Sequence, residues 1–299
     1  MKNEYIKEAK IKEGQSDLRG AIELYKKALE ENPRDNSLQI DIGNLLATLG
    51  DFEEAAGFFR RANRFFPNDK NIKVALGFCL CSIGNTYQLG KKYDLAEAAF
   101  EEAVSFEPDN ADFIFNLGNA LFSQNKLKKA LKLYQKSILL NEDGNTYTNL
   151  ANTYRRLNEL TNAKHNYIKA LKIEPDLIHA KIELTHLMQS TCDWSGIDNY
   201  FSEIKSHILN KKLGKISPFT VLSMPGLNSE NHLYVSTNWS EQKKISPLQS
   251  DQRVIKKNIT IGYLSADFRN HPLYYLIFDV LNNHNKNKFT IKLFYSGKP

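Results

Sequence analysis

ADFIFNLGNALFSQNKLKKALKLYQKSILLNED, residues 111–143, is the stretch that decides the fold. It places Leu117-Gly118, Leu121, Ala130, Tyr134 and Ser137 at helical spacings and ends on Glu142. Residues 144–177 repeat the pattern as Leu150-Ala151, Tyr154, Ala163, Tyr167, Ala170 and Pro175. Residues 77–110 give Ile83-Gly84, Tyr87, Ala96, Phe100, Ala103 and Pro108, and residues 36–69 give Ile42-Gly43, Leu46, Gly50, Ala55, Phe59, Ala62 and Pro67. A weaker unit precedes them with Ala21, Tyr25, Ala28 and Pro33. Pro33, Pro67, Pro108 and Pro175 are spaced 34, 41 and 67 residues, the last interval dividing in two if Glu142 stands where a proline would. Self-similarity at this period marks a repeat array. Small residues (Gly43, Gly84, Gly118, Ala151) let the first helix of a unit approach the second. Aromatics (Phe59, Phe100, Tyr134, Tyr167) fill the gap, and proline ends the second helix because it cannot continue the hydrogen-bond ladder. One unit cannot bury its apolar face alone; a stack can.

This pattern resembles the tetratricopeptide repeat, a pair of antiparallel helices of about 34 residues. The expectation is a mainly α solenoid over residues 1–190, of about five repeats plus a degenerate cap. The 41-residue interval holds seven extra residues around Asn71–Gly77. Seven residues are about two helical turns, so they either lengthen a helix or loop out, and the sequence leaves both open.

Charge and cysteine usage narrow the class. The chain carries 40 Lys+Arg against 34 Asp+Glu. Residues 1–190 hold 26 of each, so the array is neutral and the basic excess falls in residues 191–299. That excess is diluted over a long stretch and reads as solvated surface, with no nucleic-acid partner implied. Cys79, Cys81 and Cys192 show neither disulfide-framework nor zinc spacing. Cys79 and Cys81 sit in an apolar helical stretch as small core residues, which suits a reducing compartment. The N-terminal residues are rich in Lys and Glu without an apolar run, and no long apolar segment exists. The expected location is the cytoplasm, without a membrane partner.

Within the array, Asn44, Asn85, Asn119 and Asn152 recur directly after the small residue of each unit. Asn116 and Asn149 add a second row three residues earlier, where the other units have Asp41 and Ser82. Residues three apart share a helix face, and in the tetratricopeptide repeat that face of the first helix lines the concave groove. An amide both donates and accepts, so it can hold peptide backbone regardless of side chains. The expectation is a sequence-tolerant groove for acceptor proteins in extended conformation.

Helical pattern fades after Met188. Residues 191–257 read as a connector. It contains Cys192-Asp193-Trp194-Ser195, an amphipathic run Ile197–Leu209, Ser217-Pro218-Phe219 and a helix around His232–Trp239. From residue 258 the grammar changes. Ile259–Leu264 reads as a buried strand, Ser265–Pro272 as the loop at its end, Leu273–Asn282 as a helix with Leu276, Ile277, Val280 and Leu281 inward, and Phe289–Tyr295 as a second strand. Ligands of parallel sheets sit outside the carboxyl ends of strands, which directs attention to Asp267, Arg269, Asn270 and His271. There is no glycine-rich phosphate loop.

Repeats followed by Cys-Asp-Trp-Ser, Ser-Pro-Phe-x-x-Leu, Gly-Tyr-Leu-Ser-Ala-Asp-Phe-Arg-Asn-His-Pro and Phe-Tyr-Ser resemble, in that order, the bacterial form of the O-linked N-acetylglucosamine transferase family. The resemblance implies that residues 258–299 are the first β-α-β unit of a GT-B (Rossmann-like) glycosyltransferase domain. It also implies transfer of N-acetylglucosamine from its UDP conjugate to Ser or Thr of proteins, with inversion, no metal and no cofactor beyond that donor. His271 falls on the family's active-site histidine, and an imidazole titrating near neutrality can take a hydroxyl proton. Animal members carry a second histidine where this chain has Tyr275. The family's donor-holding residues lie in a second Rossmann-like half that these residues do not include. The sequence reading therefore expects no turnover by this chain alone, and measured turnover of the UDP sugar would refute it. The alternative reading is a non-catalytic repeat scaffold for protein–protein interaction. His165, His179, His186, His207, His232 and His284 show no ligand spacing.

Overall fold

The computed structural model describes residues 2–210, 216–222, 224–242, 259–265, 278, 280–286 and 289–295. They fall into two compact units, Met1–Lys243 and Lys244–Pro299.

The first unit is built of helix pairs. These are α1 (Lys2–Gly14) with α2 (Leu18–Glu31), α3 (Asn36–Leu49) with α4 (Phe52–Phe65), and α5 (Lys70–Leu89) with α6 (Tyr93–Phe106). They continue with α7 (Ala111–Ser123) and α8 (Leu127–Leu140), α9 (Gly144–Arg156) and α10 (Leu160–Ile173), and α11 (Ile178–Ser190) and α12 (Ile197–Leu209). Short local signals set these boundaries. Two residues after Pro33, Pro67, Pro108 and Asn141 an Asp or Asn caps the next first helix, whereas Leu177, two after Pro175, gives α11 no side-chain cap. Asp35 accepts from Leu38 N–H, Asp69 from Asn71 and Ile72, Asn110 from Asp112 and Phe113, and Asp143 from Thr146. Such side chains satisfy backbone donors that a helix start leaves unpaired.

The turn inside each pair is equally regular. Ser16, Gly50, Lys91, Asn125, Asn158 and Cys192 all take positive φ there. Each is followed by the N–H that closes a six-residue loop onto the first helix: Asp17 to Lys12 O, Asp51 to Leu46 O, Lys92 to Tyr87 O, Lys126 to Leu121 O, Glu159 to Tyr154 O and Asp193 to Met188 O, at 2.8–2.9 Å. This is the Schellman closure of a helix C-terminus. Its sixth occurrence, at Cys192, shows that α11 ends as the other first helices do. The repeat geometry therefore runs past Met188, where the sequence pattern fades. Asp193 then holds the turn, accepting from Ser195 N–H at 3.2 Å and Ser195 Oγ at 2.5 Å and pairing with Lys164. These hydrogen bonds, the one from Lys164 foremost, hold its carboxyl down at about 2.

The extra seven residues are helical. α5 has 20 residues where the other first helices have 13 or 14. Asp69 fixes the start by capping at Lys70, and no glycine or proline follows until Gly77, so nothing interrupts the added turns.

The core is a row of small-on-large contacts. Phe59, Phe100, Tyr134 and Tyr167 are all buried. A Cβ on Gly43 would lie 2.9 Å from Phe59, on Gly84 2.6 Å from Phe100, and on Gly118 2.7 Å from Tyr134. Ala151 stands at the matching place over Tyr167, so one methyl is tolerable there if the ring retreats. A branched side chain is not. Gly84→Ile is expected to cost about 3 kcal/mol, the upper end for overpacking a filled core, with Gly84→Ala well below it; urea melts of the two variants check this ordering.

The segment read from sequence as a connector contributes to this core. Ile197, Phe201, Ile204 and Ile208 of α12, with Ile216, Val221, Met224 and Val235, are buried in one cluster with Leu184, Leu187 and Met188 of α11. Val221 belongs to α13 (Pro218–Leu222) and Val235 to α14 (Ser229–Gln242). Among the described residues no helix is long and apolar enough to cross a membrane.

In the second unit, β1 (Ile259–Ser265) and β2 (Phe289–Tyr295) pair in parallel, with Ile259 opposite Phe289 and Ser265 opposite Tyr295. Tyr263 Oη lies 2.6 Å from His284 Nε2, which packs edge-on to Phe289. Of the side chains expected inward from the helix between the strands, Val280 is exposed, a correction to the sequence reading. The two described strands offer too small a face to cover it. Leu276 and Ile277 lie outside the described residues. Two parallel strands do not by themselves define a GT-B domain.

Candidate polypeptide-binding groove

Successive first helices touch one another: α3 with α5, α5 with α7, α7 with α9, and α9 with α11. The second helices are instead bridged at the tips of long side chains, Lys26 to Glu54 and Arg60 to Glu102, both at 2.7 Å. The first helices therefore form the inner face of the array, and its depressions open between them. One, lined by Asn44, Asn71, Val74 and Phe78, lies between α3 and α5. A second, of about 230 Å³, is lined by Asn85 and Gln88 of α5 with Asn116, Asn119 and Ser123 of α7. A third, between α7 and α9, includes Asp112, Asn145 and Asn149.

The sequence-predicted asparagines all lie on first helices, but in two different environments. Asn44 and Asn85 are exposed, whereas Asn116, Asn119, Asn149 and Asn152 are half-buried. For Asn119 and Asn152 the aromatic of the same unit adds a partner. Tyr134 Oη donates to Asn119 Oδ1 at 2.8 Å, and Tyr167 Oη donates to Asn152 Oδ1 at 2.6 Å. The matching residues of the second and third units, Phe59 and Phe100, have no hydroxyl to offer Asn44 and Asn85. Burial pushes both phenols well above their ordinary value, so these hydroxyls stay protonated and remain donors.

The ladder is also linked lengthwise. Asn149 Nδ2 donates to Asn119 Oδ1 at 2.8 Å across α7 and α9, and Asn116 Nδ2 donates to Cys81 Sγ at 3.3 Å across α5 and α7. Asn119 Oδ1 thus takes two bonds, and its amide is held in one orientation with Nδ2 uncommitted among the described residues. Gln88, which the sequence reading did not single out, joins the row by donating to Ser123 Oγ at 3.0 Å. Its Oε1 is buried without a partner among the described residues. A buried acceptor without a donor is costly. The helical spacing of Gln88 from Asn85 was the available signal. Cys79 and Cys81 are core residues, and burial raises both thiols, Cys79 to about 11, which keeps them protonated.

Five of the six asparagines therefore line depressions of one face, and Asn152 continues the row on α9. His271 lies outside the described residues, as do Asp267, Arg269, Asn270 and Tyr275.

Residues 6–70, 79–110, 111–143 and 144–177 match the tetratricopeptide repeat family. The chain carries a tetratricopeptide-repeat array. Protein O-mannosyl-transferase TMTC1 of Homo sapiens is 24% identical over 188 residues, which are 52% of this chain and 21% of that protein. Protein O-mannosyl-transferase TMTC3 of Homo sapiens is 23% identical over 160 residues, 50% of this chain and 18% of that protein. The chain spans about a fifth of the length of these curated relatives. Among solved structures, YrrB, "a TPR protein with an unusual peptide-binding site", is 19% identical with a TM-score of 0.48, covering 71% of this chain and 97% of that one. Pseudomonas aeruginosa pilF is 17% identical with a TM-score of 0.46, covering 80% and 97%.

Proposed function

We propose that the array holds acceptor polypeptide in extended form for a protein glycosyltransferase. The observation that carries the reading is the amide row on the inner face, oriented by Tyr134 and Tyr167 and leaving Asn119 Nδ2 uncommitted among the described residues. Exposed and half-buried amides in one line suit a peptide backbone, whose N–H and C=O groups alternate along its length. Because the row reads backbone, it accepts many sequences. Matches to protein O-mannosyl-transferases, enzymes named for transfer of a sugar to protein, support a glycosyltransferase setting.

The finer reading is transfer of N-acetylglucosamine from UDP-N-acetylglucosamine to Ser or Thr, with His271 as base or acceptor-positioning group and a GT-B domain beginning near residue 258. It rests on the Gly-Tyr-Leu-Ser-Ala-Asp-Phe-Arg-Asn-His-Pro segment at 262–272.

The binding mode is tested by titrating the chain with unstructured Ser/Thr-containing peptides and with scrambled versions of each. Affinities within about threefold are expected if backbone is what is read. Discrimination above about tenfold, or 1.4 kcal/mol, would overturn the sequence-tolerant groove. For the transfer step, His271→Ala is expected to abolish sugar incorporation in a form of the protein that shows it, with peptide capture unchanged.

A further inference from the structure

The neutral charge of the array conceals an uneven outer face. The second helices present their outward positions in register, so each can be compared with its neighbours. On α4 that stripe mixes Glu53 and Glu54 with Arg60 and Arg61, and on α6 it carries Asp94, Glu101 and Glu102. α8 and α10 contain no acidic residue at all. Lys128, Lys129, Lys132 and Lys136 are exposed on α8, and His165, Lys169 and Lys172 on α10.

Ion pairing neutralises only part of this face. Lys126 pairs with Glu97, Lys136 stands 3.7 Å from Asp109, and Lys164 pairs with Asp193. Lys129 feels Glu97, and Lys169 lies 5.6 Å from the centre of the Tyr147 ring. Lys128, Lys132 and Lys172 have no ion pair among the described residues. Elsewhere, adjacent second helices are tied by opposite charges, as Arg60 and Glu102 are. Among the described residues no ion pair ties α8 to α10.

An apolar rim accompanies the charge. Leu139 is 87% exposed and lies on the same stripe of α8 as Lys128 and Lys132, eleven and seven residues earlier. Leu140 and, at the matching place on α10, Ile173 are also exposed. Solvated leucines at the end of a lysine stripe are not explained by packing within the array.

We propose that the outer face of α8 and α10 rests on an anionic lipid surface, with the lysines at headgroup level and Leu139, Leu140 and Ile173 dipping into the interface. Three features select a bilayer over an acidic protein. The face has lysines and no arginine, so it offers point charges that sense a surface potential and not forks that clasp single carboxylates. The lysines run along two neighbouring second helices, Lys128 to Lys136 on α8 and Lys169 and Lys172 on α10, a spread of charge that a continuous anionic surface can meet along its length. Charge is combined with apolar side chains, the two-signal arrangement that peripheral membrane contact requires. The acidic stripe of α6 beside it confines the contact to two helices. Absence of a spanning segment, on which the expectation of no membrane partner rested, does not bear on a face that lies on the surface.

The test is flotation of the full chain with phosphatidylcholine vesicles, with and without about one-third phosphatidylserine, a content that gives a negative surface potential. Binding is expected only to the anionic vesicles. It is expected to fall roughly tenfold or more for Lys128→Gln/Lys132→Gln/Lys172→Gln, and severalfold for Leu139→Ser. The triple Lys→Arg variant is expected to keep it. Circular dichroism melts of these surface variants should match the parent. Equal binding to neutral vesicles, or an unchanged triple variant, would overturn the proposal. Capture of polyglutamate by a chain that ignores vesicles would overturn it in favour of an acidic protein partner.

Discussion

Replacing Tyr167 with Ala is expected to remove about 3–5 kcal/mol of stability, the range for truncating a large buried aromatic. The ring is fully buried between α9 and α10, under Ala151, and its hydroxyl is bound at 2.6 Å by Asn152. Truncation leaves both a ring-sized cavity and a half-buried amide oxygen without its donor. Because each unit of a stacked array contacts mainly its neighbours, the loss should appear as early unfolding of the C-terminal pairs, with α1–α6 melting later. In urea, the change in tryptophan emission from Trp194 and Trp239, both C-terminal to α10, should precede the loss of helical circular dichroism from the whole array, and that separation checks this. Tyr167→Phe separates the two contributions. Phe59 and Phe100 show that the site accepts a bare ring, so only the hydrogen bond is lost, a cost of about 1 kcal/mol. The phenol also sets a pH window. Its folded value is raised, by burial first, above the ordinary 10.0. Below that value both states hold the proton and nothing changes. Above it the unfolded chain releases its proton first, so stability falls as pH rises through about 10. Tyr134→Phe/Tyr167→Phe should flatten that fall, and an identical alkaline slope in parent and variant would sink this account.

How far the sequence carried this can be followed at particular residues. The paired-helix array was legible because its period is set by residues with a single steric purpose: glycine under a ring, proline after a helix. The length of α5 was not, since seven residues satisfy a helix and a loop equally by periodicity. The deciding signal was Asp69, whose carboxylate can cap only the residues immediately after it. The sixth pair went unread because Thr185 stands where the earlier units carry Gly or Ala, although Phe201 keeps the aromatic place 34 residues after Tyr167. Its turn is specified by backbone hydrogen bonds that many side chains permit, Cys192 taking the place that Asn158 takes one unit earlier. The asparagine row was visible as recurrence. Which of its members gain a tyrosine partner was not, because that depends on whether the aromatic fifteen residues later carries a hydroxyl. Charge was misleading in one respect: 26 of each sign over residues 1–190 gives a neutral average, and only the helical registers sort the lysines of α8 and α10 onto one side.

The second large effect concerns the groove, and its design must keep binding apart from folding. Asn116→Ala/Asn119→Ala/Asn149→Ala/Asn152→Ala is expected to weaken capture of extended polypeptide by about two orders of magnitude. Each amide contributes roughly 0.5–1.5 kcal/mol of net hydrogen bonding, and tenfold in affinity is 1.4 kcal/mol. The same quadruple change strips Tyr134 and Tyr167 of their acceptors, so a weakened fold alone could mimic the result. Asn119→Asp/Asn152→Asp removes that ambiguity. A carboxylate still accepts from each tyrosine hydroxyl but has no N–H to give a peptide carbonyl. Its melting temperature should stay near the parent's while peptide affinity falls by at least tenfold. If instead the double Asp variant binds as the parent does, the amide donors are not what holds the chain. The groove would then have to work through its apolar members, Val74 on the added turns of α5 and Phe78 just after them, whose exposure makes them the next positions to change.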